Sequence, residues 1–122
     1  MTRRTLSTMA VLAGVAALSV TVLAHMKLAK TMPEADSTVT AAPAKIQMWF
    51  SEAPDKAVSK VTVTGPSGGV TIGALNVGDD KSLSAAVEGA MGDGAYKVDW
   101  QSAGHDGHVQ KGSFAFSVRR TH

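Results

Sequence analysis

From Met26 onward apolar residues recur at every second position in short runs, and no run carries a 3.6-residue stripe of helical length. Ile46, Met48 and Phe50 share one parity within 45–51, as do Val61 and Val63 within 58–64. Val70, Ile72 and Ala74 open a further run, and Leu83, Ala85 and Val87 another. Tyr96, Val98 and Trp100 alternate with Lys97, Asp99 and Gln101, the pattern of a strand with one wet face. Phe114, Phe116 and Val118 repeat it in 110–118. With 27–31 as the first, these runs predict about seven short strands, hence an all-β Greek-key sandwich or barrel. Clusters of Gly, Pro, Asp and Ser at 32–37, 65–69 and 89–94 supply the turns. Gly65 to Gly69 precedes no helix and lacks the Lys-Ser/Thr of a phosphate loop, so it reads as a turn. Trp100 falls on the core face, whereas Trp49 alternates outward, to cover an edge or lie beneath a loop. Arg119 to His122 reads as a frayed polar tail.

Residues 1–24 follow a different pattern. Thr2-Arg3-Arg4 gives a positive start, Met9 to Leu23 is almost wholly apolar or small, and Val22-Leu23-Ala24 suits a signal peptidase. The apolar run is shorter than the roughly 20 residues of a spanning helix and meets no stop-transfer charges. Residues 1–24 are therefore expected to be a signal peptide cleaved after Ala24, with an uncleaved anchor as the alternative. The paired arginines also resemble a twin-arginine signal, which leaves the export route open. Residues 25–122 are then one domain with a single core. The chain has 12 basic and 10 acidic residues; without Arg3 and Arg4 the two balance, so there is no basic field for nucleic acid. Cysteine is absent, which excludes disulfides and thiolate metal sites.

Cleavage at that point changes the chemistry of His25. As the first residue it carries a free α-amine beside its own imidazole, and the amine and Nδ1 can chelate one ion. An amine pKa near 8 and an imidazole pKa near 6.5 let a metal displace both protons around neutral pH. The second half of a site is Ser102-Ala103-Gly104-His105-Asp106-Gly107-His108. On extended backbone Asp106 and His108, spaced i, i+2, point the same way, and His105 points away. The flanking Gly104 and Gly107 can bend the backbone and relax that exclusion. Two nitrogens from His25, one from His108 and an oxygen from Asp106 make a tetragonal set suited to Cu(II). A lone loop histidine usually does nothing special, so the weight lies on the combination. Glu52, at the end of the 45–51 strand, is a further candidate, equally readable as a solvated carboxylate. Met26, Met32, Met48 and Met91 are scattered, as gap-filling core methionines are.

Several blocks together carry a resemblance. His25-Met26-Lys27-Leu28 with Met32-Pro33, Ala42-Pro43-Ala44-Lys45-Ile46 with Phe50-Ser51-Glu52, and Tyr96-Lys97-Val98-Asp99-Trp100 resemble blocks of the CopC family of periplasmic copper-binding proteins. Asp106-Gly107-His108 followed by Gly112-Ser113-Phe114-Ala115-Phe116 resembles its Asp-x-His loop and closing strand. The resemblance implies a cupredoxin-like, immunoglobulin-like sandwich. It also implies one Cu(II) per chain in a histidine brace: His25 through amine and ring, His108 through its ring, Asp106 on or near the metal. Glu52 sits where some members place a nearby carboxylate. Two departures stand out. Gly65 to Lys81 contains neither Met nor His, so no dedicated Cu(I) site is expected, and His105 is an extra histidine placed to modulate affinity.

The function expected is a monomeric periplasmic carrier that sequesters Cu(II) and passes it to a CopD-type membrane protein for import or resistance. Binding rather than catalysis is expected because four protein donors largely fill a tetragonal copper. Two rivals stand beside it: an enzyme resembling the lytic polysaccharide monooxygenases, which use the same brace, and an exported structural sandwich with incidental histidines. The short chain and the sparse surface aromatics weigh against the enzyme.

Overall fold

The structure, a computed structural model, describes residues 25–121; the expected export segment with its cleavage point, and His122, lie outside the described residues. In chain order the strands are β1 (Leu28–Met32), β2 (Thr38–Val39), β3 (Lys45–Phe50), β4 (Lys60–Gly65), β5 (Gly68–Val70), β6 (Asn76–Val77), β7 (Ser82–Ala86), β8 (Gly94–Ala103) and β9 (Val109–Val118). They form two sheets, ordered β1-β3-β7-β6 and β2-β9-β8-β4-β5. The result is an all-β sandwich rather than a closed barrel. All pairings are antiparallel except that of β2 with β9.

The alternation read from the sequence decides what faces inward. Ile46, Met48, Phe50 and Leu83 from one sheet meet Val63, Tyr96, Val98, Trp100, Phe114, Phe116 and Val118 from the other in one buried cluster. Phe50 packs edge-on against Trp100 at 5.1 Å, and Tyr96 stacks on Phe116 at 5.5 Å. Gly112, opposite Trp100 in the β8/β9 ladder, leaves room for the indole; a Cβ there would lie 2.6 Å from the ring.

Nine strands replace the expected seven, and the reason is local. The expected strand over 70–74 does not form, because the chain changes sheets there. Val70 pairs with Val63 of β4, whereas Ile72 bridges Val87 and the Gly73 N–H donates to the Ala86 carbonyl at 2.8 Å. A segment serving both sheets cannot be one straight strand. Nor does 58–64 begin as expected. Asp55 caps a single 3-10 turn over Lys56–Val58 by accepting from the Ala57 N–H at 3.0 Å, which delays β4 to Lys60. The tail is also anchored where fraying was expected. The Arg119 N–H donates to Val39, the Arg120 N–H to Asp93, and the Arg120 guanidinium to the Met91 carbonyl. Trp49 does lie against a loop: its indole N–H donates to Asp80 at 3.0 Å, with Lys30 Nζ 4.4 Å above the ring.

Pairing of Leu28 with Phe50 and of Ala103 with Val109 brings the start of β1, the end of β3 and the β8–β9 loop to one end of the sandwich. The Asp55 N–H, donating to the Ala103 carbonyl at 2.8 Å, ties the two sheets together there. Leu83 has no exposed surface at the centre of the core. Leu83→Ala should cost about 2–5 kcal/mol. A lower urea midpoint at unchanged slope is the expected reading.

Candidate metal centre

Two arms build the site, and each is held by short-range bonding. The first begins at His25. Met26 is only 3% exposed and belongs to the main core, so its side chain nails down a segment that would otherwise fray. Next to it, the Lys27 N–H donates to Ser51 Oγ and the Ser51 N–H donates back to the Lys27 carbonyl, both at 2.8 Å. The second arm is the turn from Gly104 to Gly107, closed by the Gly107 N–H on the Gly104 carbonyl at 3.1 Å. Gly107 has φ of 73°, the left-handed region that glycine enters without steric cost. The His108 N–H donates to Asp106 Oδ1 at 3.0 Å, an Asx-type bond within the loop.

With Oδ1 bracing its own loop, Asp106 turns Oδ2 toward both rings. It lies 3.1 Å from His25 Nδ1 and 3.2 Å from His108 Nδ1. The ring centroids are 5.2 Å apart at 59°. One donor atom from each of His25, Asp106 and His108 falls within 4.8 Å of the other two. An ion about 2.0–2.1 Å from each donor needs neighbours roughly 2.8 to 4.2 Å apart, a range that already holds the 3.1 and 3.2 Å separations. The two histidine side chains are 52% and 64% exposed and that of Asp106 is 14% exposed, which leaves the site open on the ring side. The His108 N–H holds the Asp106 carboxyl below the ordinary aspartate value, helped by the rings of His108 and His25 and opposed by partial desolvation.

The other two candidates stand differently. Glu52 is half-buried, and its Oε1 accepts the His105 N–H at 3.0 Å, which ties the carboxylate to the loop backbone. The His105 ring is exposed and, like Glu52, lies outside the three-residue group. Asp106 and His108 do not meet in the extended form expected from their spacing. They converge because the turn and the left-handed Gly107 fold them together, not because extended backbone puts i and i+2 on one face. Ser51 was read in the sequence only as part of the Phe50-Ser51-Glu52 block, with no role of its own.

Residues 28–119 match the model of the CopC domain. The chain belongs to the CopC family. Among similar proteins, protein YobA of Escherichia coli (strain K12) is 38% identical over 101 residues, covering 80% of this CopC chain and 82% of that protein. Copper resistance protein C of Escherichia coli is 35% identical over 106 residues, covering 80% and 83%. Among solved structures, PcoC, a methionine-rich copper resistance protein from Escherichia coli, superposes with a TM-score of 0.70 at 34% identity, over 79% of this chain and 100% of that one.

The lowered Asp106 pKa gives a pH signature for the metal-free CopC domain. A carboxylate whose folded-state pKa lies below its unfolded value contributes stability that is complete above the unfolded value and is lost as pH falls through the folded one. Carboxyl NMR should therefore place the Asp106 midpoint below 3.8, and Asp106→Asn should flatten the loss of stability on acidification below that pH. A midpoint at or above 3.8 would contradict the hydrogen-bonding described.

Proposed function

We propose that this protein is a periplasmic Cu(II) carrier, beginning at His25 after export, that sequesters one ion per chain. It then passes the ion to a CopD-type membrane protein, in import or resistance. The observation that carries the reading is the convergence of His25, Asp106 and His108 donors within 4.8 Å on a chain of the CopC family. A free amine at His25 would add a second nitrogen to its ring. The resulting three nitrogens and one oxygen favour Cu(II) over the other available divalent ions. Amine and imidazole nitrogens bind copper only as free bases, so protons compete with the ion and uptake weakens in acid.

The exposure of both rings suits a carrier, because an incoming ligand can reach the ion without unfolding the site. Filling of the coordination sphere by protein donors argues for binding over catalysis. The chain then works as a monomer with copper as cargo.

Protein prepared to start at His25 should take up one equivalent of Cu(II) in a calorimetric titration, with Zn(II) far weaker and EPR reporting three nitrogens. Equal affinity for the two metals would overturn the proposal. One residue retained ahead of His25 removes the amine. That change, like His108→Ala, should weaken copper by more than the roughly 10–100-fold typical of losing a group that merely supports a ligand. A structural sandwich with incidental histidines would show neither effect.

A further inference from the structure

The two arms of the site lie 81 residues apart in sequence, and no strand pairing joins them directly. Their separation must be set by something that touches both. We infer that Ser51 and Glu52, consecutive residues at the end of β3, are a positioning pair that fixes the distance between His25 and the Asp106/His108 loop, Glu52 acting without being a ligand. The inference rests on the proposed copper site for its purpose, but not for its geometry.

Ser51 holds the first arm with two bonds, its hydroxyl accepting from the Lys27 N–H and its own N–H donating to the Lys27 carbonyl. Glu52 holds the second by accepting the His105 N–H at 3.0 Å. Three residues on, the Asp55 N–H binds the Ala103 carbonyl where β8 runs into the loop. The segment 51–55 therefore grips the chain just after His25 and just before Asp106.

Gly104 supplies an independent sign that the carboxylate belongs there. Its φ is not in the left-handed region, so the backbone does not demand glycine. A Cβ at 104 would instead overlap the Glu52 carboxylate, whose atoms are its nearest neighbours. A side chain at 104 would therefore compete with the Glu52 carboxylate for that volume, and the flexible carboxylate is the group that would have to move. Affinity for an ion of fixed size depends on donors held close to their bound separation, and supporting groups of this kind act through the ligands they hold.

The test uses the chain beginning at His25 with Glu52→Ala, Glu52→Gln, Ser51→Ala, Gly104→Ala and the Glu52→Ala/Gly104→Ala pair. In metal-free protein, NMR hydrogen exchange at the His105 amide should quicken in Glu52→Ala and Gly104→Ala, and stay slow in Glu52→Gln, whose amide oxygen accepts the same bond. Competition against a chromophoric chelator should show Cu(II) affinity reduced about 10–100-fold in Glu52→Ala and Ser51→Ala and nearly restored in Glu52→Gln. The EPR spectrum should stay that of the parent, and Gly104→Ala should cost little once Glu52 is gone. An EPR change signalling a lost oxygen donor in Glu52→Ala would make Glu52 a ligand and overturn the inference. Unchanged exchange and affinity in that variant would overturn it too. Failure of the parent to bind Cu(II) would sink the proposed function alone, since the His105 amide decides the positioning role without metal.

Discussion

One carboxylate oxygen, Asp106 Oδ2, faces the Nδ1 atoms of two histidines from opposite ends of the chain, at 3.1 and 3.2 Å. That shared contact is a demanding requirement on the fold. An acceptor between two rings is satisfied only while each ring keeps its orientation, and neither ring is buried enough for packing to hold it. Order must come from the backbone on either side. On one side it comes from Met26 in the core and the Lys27–Ser51 bonds, on the other from the Gly104–Gly107 turn and Glu52. The exposed site is thus only as well ordered as the buried elements beneath it.

Those elements are cheap to specify in sequence. Two-residue alternation in β3, β8 and β9 sends Met48, Val98 and Phe116 inward, and slippage by one residue would turn each of them to water. The register that buries them also sets Leu28 against Phe50 and Ala103 against Val109, so the core fixes which residues stand at the end that carries the candidate site. Packing and site geometry are in this sense one constraint. The apolar faces choose the register, and the register delivers the candidate ligands.

The same logic explains what could and could not be read from the sequence. Strands with clean alternation, such as 45–50 and 94–103, were legible because burial on one face leaves a periodic trace. Val70 to Ala74 was misjudged because alternation does not say which sheet a residue joins, and this segment joins one and then the other. His25, Asp106 and His108 were legible as residue types whose chemistry suits one ion, and the resemblance to a known family drew them together. The route by which Asp106 and His108 meet was not, since it depends on a left-handed glycine and an Asx-type bond. Ser51 and Glu52 accept from backbone N–H groups of distant residues, and such a bond leaves no mark on the sequence of the donor. Gly104 is a partial exception: it reports a neighbour by the side chain it lacks, but the neighbour is visible only in three dimensions.

A carrier must hold its ion against water and still give it up, and here the two demands fall on different parts of the molecule. Affinity in the proposed reading comes from donors whose spacing is fixed by buried or half-buried supports, none of which a docking protein needs to disturb. Release in that reading depends on the open side, where both imidazoles face solvent and a competing ligand can reach the ion as one protein donor leaves. Such stepwise exchange never passes through a bare ion. Its barrier can therefore be low while the affinity stays high. Burying the rings would tighten the grip and slow transfer together, because a competing ligand could then enter only after local unfolding. The exposure of His25 and His108 is in that light part of how the site would work, and the rigidity it forgoes is supplied from beneath by the end of β3.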